Sequence, residues 1–365
     1  MGDSNSRMRR FIVAALVLAG WVTPVAAVEW VVPHARADTA DTNPGDGLCQ
    51  DSTGACSLRA AIEESNALPG ADTIRLVEGY RRGLASLLLS QVVIGEDLEI
   101  IGFGMDASII EGARLDRLMR VLPGATLRLV DVMLRKGESD RGGIILNDGT
   151  LVMERAQLAR GVADEGAGVY NSGTLNAVDS VFFKHSNRLP QGLGGCIYNE
   201  GNVSLERVTL TAGNARLGCG GGIYNALGGQ VEALNTTIAG NGADKGQGGG
   251  VCNDGGVFSC THCTISRNKS TTGPGGVVNL AGSVTLGATI LADNSQAGVV
   301  GRNVNCGGAV TSAGYNLDSG TTCGFAAAGD LTAANPLLRG LRAVGGYSPT
   351  AEFKKTTSPA INGAD

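Results

Sequence analysis

The stretch "LGCGGGIYNALGG", residues 217–229, decides the fold, because its pattern returns along the chain. Six segments share a run of glycine, apolar residues, asparagine and a following glycine, and their aligned asparagines are Asn147, Asn171, Asn199, Asn225, Asn253 and Asn279. A second landmark recurs between them and ends on Asn187, Asn214, Asn241, Asn268 and Asn294. Two landmarks that share a spacing of about 26 residues identify an internal repeat.

The repeat unit has the composition of short strands broken by glycine and asparagine. A strand-only unit of about 26 residues cannot bury its own apolar face, so successive units must stack. Stacked coils about 4.8 Å apart form parallel sheets along one long axis. The sequence therefore predicts an all-β chain, a right-handed parallel β-helix of about eight coils between residues 91 and 300.

Residues in equivalent positions of such coils lie one above the other. In "GIYN" the alternation of a strand turns Ile223 and Asn225 inward and Tyr224 outward. Tyr224 is then expected to continue a column with Tyr170 and Tyr198. The six aligned asparagines are expected to bond through their side-chain amides, as a ladder.

The first 37 residues have the pattern of a secretory signal peptide. Three arginines, Arg7, Arg9 and Arg10, precede the apolar run Phe11–Val22, which is shorter than the roughly 20 residues of a membrane span. Small-residue cleavage sites follow at Ala27 and Ala37, and Ala37 is favoured because a polar stretch begins after it. An uncleaved N-terminal anchor is the alternative. The mature chain is expected to be exported and not to span a membrane.

Charge and glycine pattern limit the partners. Removal of residues 1–37 takes away four arginines and two acidic residues, which shifts the formal net charge from −5 to about −7. An acidic chain is a poor match for nucleic acid or anionic lipid. A nucleotide-binding glycine loop leads into a helix, whereas "GCGGG" leads into another strand pattern. We expect no nucleic acid, no nucleotide and no cofactor.

The nine cysteines all follow the signal peptide, so export into an oxidising space favours disulfides. Nine is odd, which leaves at least one thiol free or paired with another chain. Cys49 and Cys56 bracket a short loop and are expected to pair. The pairing of Cys196 and Cys219 stays open.

"CTHC", residues 260–263, has three interpretations. A disulfide within the set Cys252, Cys260 and Cys263 is preferred, because the protein is expected to be exported. A zinc site would use these three sulfurs together with His262. A redox C-x-x-C normally begins a helix near a βαβ unit, and no such pattern is present. We expect no metal.

Flanking segments carry a resemblance to bacterial exported proteins. The stretch "CSLRAAIEESN…ADTIRL" resembles the CSLREA domain, and residues 38–90 are assigned to that domain. A helical pattern follows Ser57, and the predicted helix would cap the open end of the coils. Residues 301–365 resemble a choice-of-anchor Q module, whose paired cysteines Cys306 and Cys323 match. The coils resemble polymorphic outer-membrane-protein-like repeats. The family implies export and a β-helix but no defined activity. Because the sequence shows no sorting tail, we expect release of the protein rather than anchoring at the cell surface.

Catalysis on carbohydrate is the alternative function, because pectin-lyase-like enzymes use this fold. Such enzymes need grouped carboxylates or a base beside a cation, and the chain has no Asp-Asp pair. "VFFKHSNR", residues 181–188, offers the one basic cluster of the repeats, Lys184, His185 and Arg188; a solvated loop is its other interpretation. We expect a non-catalytic scaffold, secreted or at the cell surface, that binds a glycan or a surface protein.

Two weaker motifs complete the set. "NGADKGQGG", residues 241–249, loosely matches a calcium-binding nonapeptide and occurs once. Asn202, Asn235 and Asn268 begin glycosylation sequons, which carry little weight in a bacterial family.

Overall fold

The computed structural model describes residues 27–32, 37–76, 84–87, 89–188, 192–300, 303–343, 345–354 and 356–361. Parallel sheets wind into a β-solenoid of about nine turns, with about 26 residues per turn. The predicted fold class is therefore confirmed. Most of the predicted signal peptide, residues 1–26 and 33–36, lies outside the described residues.

The solenoid is built from 36 described strands and one helix. The N-terminal part contains β1 Glu29–Val32, α1 Leu58–Ala67, β2 Asp72–Leu76, β3 Leu84–Leu87, β4 Val92–Ile94, β5 Leu98–Ile101, β6 Ile109–Gly112, β7 Met119–Val121, β8 Thr126–Val130 and β9 Met133–Arg135. The middle contains β10 Ile145–Asn147, β11 Thr150–Glu154, β12 Gln157–Ala159, β13 Val162–Ala163, β14 Val169–Asn171, β15 Thr174–Val178, β16 Val181–Phe183, β17 Ser186–Asn187, β18 Ile197–Asn199, β19 Asn202–Glu206, β20 Thr209–Thr211, β21 Ile223–Asn225, β22 Gln230–Leu234, β23 Thr237–Ala239 and β24 Gly242–Ala243. The C-terminal part contains β25 Val251–Thr261, β26 Thr264–Ser266, β27 Lys269–Ser270, β28 Val277–Gly287, β29 Ile290–Ala292, β30 Ser295–Gln296, β31 Cys306–Gly307, β32 Thr311–Ser312, β33 Leu317–Asp318, β34 Leu331–Thr332, β35 Leu338–Arg342 and β36 Thr350–Phe353.

Two long parallel sheets run along the axis. We call sheet A the one that contains β1, β2, β4, β5, β7, β8, β10, β11, β14, β15, β18, β19, β21, β22, β25, β28, β31 and β32. Sheet B contains β3, β6, β9, β12, β16, β20, β23, β26, β29, β33 and β34. Both sheets continue on either side of residues 91–300, through β2 and β3 upstream and β31 to β34 downstream.

Alternation along the strands fills the space between the sheets with aliphatic columns. One column of sheet A runs through buried side chains in exact register, Leu98, Leu127, Leu151, Leu175, Val203, Val231, Phe258 and Val284. Burial of each such side chain stabilises the fold by about 1.5–3 kcal/mol. The columns explain why the strands keep the same register from coil to coil while the residue types and the loop lengths vary.

The corner that leaves sheet A uses left-handed backbone in seven successive coils. Its residues have φ between 46° and 54° and are Asp131, Arg155, Asp179, Arg207, Asn235, His262 and Ala288. Aspartate and asparagine tolerate this region better than most residues. In the charged coils the corner side chains also pair between neighbours, as Arg155 with Asp131 at 2.9 Å and Arg207 with Asp179 at 2.8 Å.

The N-terminal end carries the predicted helix and an unpredicted strand. Ser57 caps α1 by accepting a hydrogen bond from the Ala60 N–H at 3.0 Å, and the helix buries Leu58 and Ile62. Strand β1 lies inside the segment that was assigned to the signal peptide, and it pairs in parallel with β2 at the edge of sheet A.

The C-terminal segment folds back along the solenoid. The loop between the two strands of its antiparallel hairpin, β35 and β36, reaches an earlier coil. There Ser348 Oγ donates to the Arg207 carbonyl at 2.8 Å, and Thr209 Oγ1 donates to the Pro349 carbonyl at 2.6 Å. Thr209 alternates with the inward Leu210, yet it is fully buried. The C-terminal segment therefore covers part of the outer face of sheet B.

Four disulfides are present among the described residues. They are Cys49–Cys56, Cys219–Cys252, Cys260–Cys263 and Cys306–Cys323. The pair within the "CTHC" set is Cys260 with Cys263, and Cys252 pairs instead with Cys219. Cys196 is the free, buried cysteine of the described chain, and burial raises the pKa of its thiol.

Candidate functional site

The basic cluster predicted from "VFFKHSNR" does not converge on one site. Lys184 is exposed at a left-handed corner with φ 60°, and Arg188 lies at the surface beyond β17. His185 between them is fully buried in the solenoid interior. The solvated-loop interpretation is therefore also wrong for His185, because the corner at Lys184 turns the next side chain inward.

His185 takes the place of an asparagine in a second interior ladder. Its Nδ1 accepts the backbone N–H of Gly161 in the preceding coil at 3.0 Å. The Oδ1 atoms of Asn241, Asn268 and Asn294 accept the same kind of bond at 2.9–3.0 Å. Imidazole Nε2 then donates to the Leu158 carbonyl at 2.9 Å. Both ring nitrogens are thus used in structure.

The predicted alignment of the second asparagine landmark is wrong in two coils. Asn214 stands in register with Gly242, one residue beyond Asn241. Ser186 stands in register with Asn214, so Asn187 lies two residues beyond the position of Asn241. From Asn241 onward the alignment holds, and each amide Nδ2 donates to the next Oδ1 through Asn268 and Asn294 to Asn305 at 2.8–3.0 Å. Asn305 in turn donates to the buried carboxylate of Asp318.

Burial gives His185 a measurable effect on stability. Desolvation lowers its pKa to about 4, from about 6.5 in an unfolded chain. Between these values the unfolded state binds more protons, so the free energy of unfolding falls as the pH drops from about 6.5 to about 4, by about 3 kcal/mol. His185→Asn, which retains an acceptor for Gly161, is expected to remove this part of the pH dependence. Urea unfolding at pH 7.5 and pH 4.5 measures how much the free energy of unfolding changes between the two pH values. An equal change in the wild type and in His185→Asn would refute the assignment.

Arg188 pairs with carboxylates from the two preceding coils. Its guanidinium contacts Asp140 at 2.7 Å, Asp164 at 3.2 Å and Glu138 at 3.5 Å. The carboxylates raise the pKa of Arg188 and occupy its hydrogen-bond donors. An arginine that is neutralised in this way is not available as a catalytic base.

The first asparagine ladder is continuous from Asn147 to Asn279. Each Nδ2 donates to the Oδ1 of the next coil at 2.6–2.9 Å. The four central members are fully buried, and the Oδ1 of Asn147 at the start is buried without a partner. Val121 occupies this register position in the preceding coil, which explains the unpaired oxygen.

An aromatic stripe lies on the outer side of sheet A. Tyr170 stacks on Tyr198 at 4.7 Å between ring centroids, and Tyr198 on Tyr224 at 5.1 Å. The rings are less than a tenth exposed, because the loop pinned by Cys219–Cys252 packs on them. This stripe is a small outer core and presents little ring surface to a ligand.

The weaker motifs do not form sites. All three sulfurs of the zinc alternative are in disulfides, and within the described part of the chain three or more His, Cys, Asp or Glu side chains do not cluster in a metal-binding group. In residues 241–249, which loosely match a calcium-binding nonapeptide, Asp244 accepts a hydrogen bond from Asn214 at 2.8 Å. Of the sequon asparagines, Asn202 and Asn235 are exposed and Asn268 is fully buried.

A further candidate surface is the outer face of sheet A over β15, β19, β22 and β25. We call it the polar strip: one row in register holds Asn176, Ser204, Glu232 and Ser259, and the neighbouring row holds Asn202 and Gln230. Together they line a shallow groove of about 230 Å³. This is smaller than the roughly 300–1,000 Å³ of most small-molecule pockets.

The polar strip has unused hydrogen-bonding capacity. Within the described chain, the side chains of Asn176, Asn202, Ser204, Gln230 and Glu232 have no hydrogen-bond partner, and the hydrogen bonds of Asn202 and Gln230 are made by their backbone groups. Towards the N-terminal end the same face becomes ionic. There Arg128 bridges Glu99 and Glu154. The strip is thus mostly neutral and bounded by paired charges.

Glu232 supplies the carboxylate of the groove. It is exposed on β22, and its register neighbours are Ser204 and Ser259. A glycoside hydrolase needs a second carboxylate about 5–9.5 Å away to act with the first. Glu206, on the adjacent coil, is held by Arg207. The groove therefore contains hydrogen-bonding groups and one unpaired carboxylate.

Among the described residues, no helix has the length and apolarity to cross a lipid bilayer. No protein-family model, no curated protein and no solved structure matches the chain.

Proposed function

We propose that the protein is an exported, non-catalytic scaffold that binds an uncharged polysaccharide along the polar strip. The observation that carries the proposal is the row of unpartnered amides and hydroxyls on the open face of sheet A. Amide and hydroxyl groups donate and accept at once, which matches the hydroxyl groups of a sugar. Export is supported by four disulfides, which persist in oxidising compartments.

The geometry of the strip fits a polymer better than a small molecule. Equivalent side chains recur at the coil spacing of about 4.8 Å, which is close to the length of one sugar unit in an extended chain. The strip is rigid because each coil is bonded to the next, so little conformational entropy is lost when a ligand binds. The open face of sheet A contrasts with sheet B, which the C-terminal segment partly covers.

The proposal predicts binding that depends on Glu232. Glu232→Lys places a long cation in the centre of the groove and is expected to weaken binding to uncharged polysaccharides by about tenfold, or about 1.4 kcal/mol. Depletion assays with insoluble polysaccharides and calorimetry with soluble fragments measure it. Lys184→Glu, an opposite charge change at an exposed corner of another face, is the control and is expected to leave binding unchanged.

Two outcomes separate this proposal from its rivals. Binding of polyuronates that is lost in Lys184→Glu and kept in Glu232→Lys would move the site to the corner column of Lys136, Arg160 and Lys184. Release of reducing ends or unsaturated uronates, abolished by Glu232→Gln, would establish the lyase or hydrolase alternative. Capture of a surface protein, with no binding in the polysaccharide panel, would assign the strip to a protein ligand.

A further inference from the structure

The N-terminal strand β1 is part of the folded solenoid. Glu29–Val32 pairs in register with residues 73–76, and the side chains of Trp30 and Val32 are buried in the main core. The strand forms the N-terminal edge of sheet A, and α1 packs against it. Cleavage after Ala37, which the polarity of the following residues favours, would remove this strand and uncover β2.

Asp72, on the neighbouring strand, is a carboxylate in an apolar column. It stands in register with Leu98, at the position that aliphatic side chains fill in the next coils, and it is only 3% exposed. Its Oδ1 accepts the backbone N–H of Val28 at 2.8 Å, and its Oδ2 is buried without a hydrogen-bond partner. No ion pair of the described residues includes Asp72. A carboxylate that is buried without a cation is unfavourable, because burial removes its hydration without supplying a counter-charge.

We propose that an export-associated peptidase hydrolyses the Ala27–Val28 peptide bond, and that the freed α-ammonium of Val28 pairs with the buried carboxylate of Asp72. Water supplies the oxygen of the new Ala27 carboxylate, and Val28 N becomes a primary amine that is protonated at neutral pH. Ala27 ends one of the two small-residue sites in the sequence and is exposed. The nitrogen that already contacts Asp72 thereby becomes the missing cation, and β1 stays in the mature protein.

Other charges near this point are already engaged or exposed. Glu29 pairs with Arg75 at 3.1 Å across the outer face, and Arg128 pairs with Glu99. Among the described residues, the other charged groups around β2 are Asp97, whose Oδ1 accepts the Thr126 N–H, and on the helix Arg59, paired with Asp38, and Glu63 and Glu64, which accept backbone N–H groups. Within this described part of the chain, Val28 is the group placed to neutralise Asp72.

The first test is the N-terminus of the exported full-length chain. The protein is expressed with its own leader in a bacterial host, recovered from the extracytoplasmic fraction, and analysed by intact mass and N-terminal sequencing. A chain that begins at Val28 supports the inference. An exported chain that begins at Asp38, or at any other residue, overturns it. The inference depends on export and not on the proposed ligand. A chain that is retained with Met1 would refute export and the inference with it. Absence of polysaccharide binding would refute only the proposed ligand.

The second test measures the ion pair. The pKa of the Val28 α-amino group, followed by the pH dependence of its labelling, is expected to lie above the usual 7.7–8.0 and to return to that range in Asp72→Asn. The urea midpoint of the wild type is then expected to fall as the pH rises through this raised pKa, whereas in Asp72→Asn or after α-acetylation it does not. Asp97→Asn, a change at an exposed carboxylate whose backbone carbonyl accepts the Asp72 N–H, is the control. A wild-type α-amino pKa in the usual range would overturn the pairing.

Discussion

Asn225→Ala is expected to destabilise the protein by about 4 kcal/mol at pH 7. Asn225 Nδ2 donates to Asn253 Oδ1 at 2.7 Å and to the carbonyls of Gly229 and Val257, and its Oδ1 accepts from Asn199 at 2.9 Å. Alanine leaves these buried groups unsatisfied, and each buried unsatisfied group costs about 1–3 kcal/mol. Equilibrium unfolding in urea measures the change.

The end of the same ladder provides the matched control. Asn279 accepts from Asn253 at 2.9 Å and donates to the Ala309 carbonyl at 2.8 Å, but it is half-buried, so water can replace its partners. Asn279→Ala is expected to cost about 1 kcal/mol. Equal losses at Asn225 and Asn279 would show that the interior amides add no more stability than surface hydrogen bonds.

Removal of the Cys219–Cys252 disulfide is expected to cost nearly as much. The bond closes a loop of sequence separation 33, for which loop-closure entropy predicts about 4 kcal/mol. It also holds the loop that covers the tyrosine stripe, so Cys219→Ala/Cys252→Ala is expected to increase the exposure of Tyr198 and Tyr224. Urea unfolding without reductant, together with tyrosine fluorescence quenching, tests both effects.

The Cys260–Cys263 disulfide is the comparison. Its sequence separation is 3, and the same entropy argument predicts about 2 kcal/mol for the double alanine variant. Both variants leave Cys196 as the buried thiol, so the comparison isolates the length of the closed loop. A larger loss from the Cys260–Cys263 variant would contradict the argument.

The repeat could be predicted from the sequence wherever a landmark residue recurs at a fixed position. Asparagine at six aligned positions gives the register of the first ladder, and the tyrosine column follows from it by alternation. This works because interior columns select one residue type at the same depth in every coil. The second ladder was harder, because His185 and Gly213 fill the column in two coils and nearby asparagines at 187 and 214 imitate the landmark.

The ends and the surface could not be predicted in the same way. Strand β1 lies six residues after the apolar run and before the favoured cleavage site at Ala37, so the sequence pattern places its apolar residues in the signal peptide. Cys219 and Cys252 meet because a loop of one coil packs on the outer face of the next strand, a contact that the repeat does not encode. The polar strip has no motif, since its side chains are ordinary amides and hydroxyls, and only their common face distinguishes them.

The two ladders give the solenoid an electrical direction. In both, each Nδ2 donates one hydrogen bond to the Oδ1 of the following coil, and each linked Oδ1 points toward the preceding one, so the amide dipoles add along the axis. The first ladder begins at the Oδ1 of Asn147, which has no hydrogen-bond partner. The second ladder ends where the Nδ2 of Asn305 donates to the carboxylate of Asp318. An anion at the N-terminus of an α-helix is stabilised by the same principle. The two ends of the molecule are therefore electrically different, and side chains alone produce the difference.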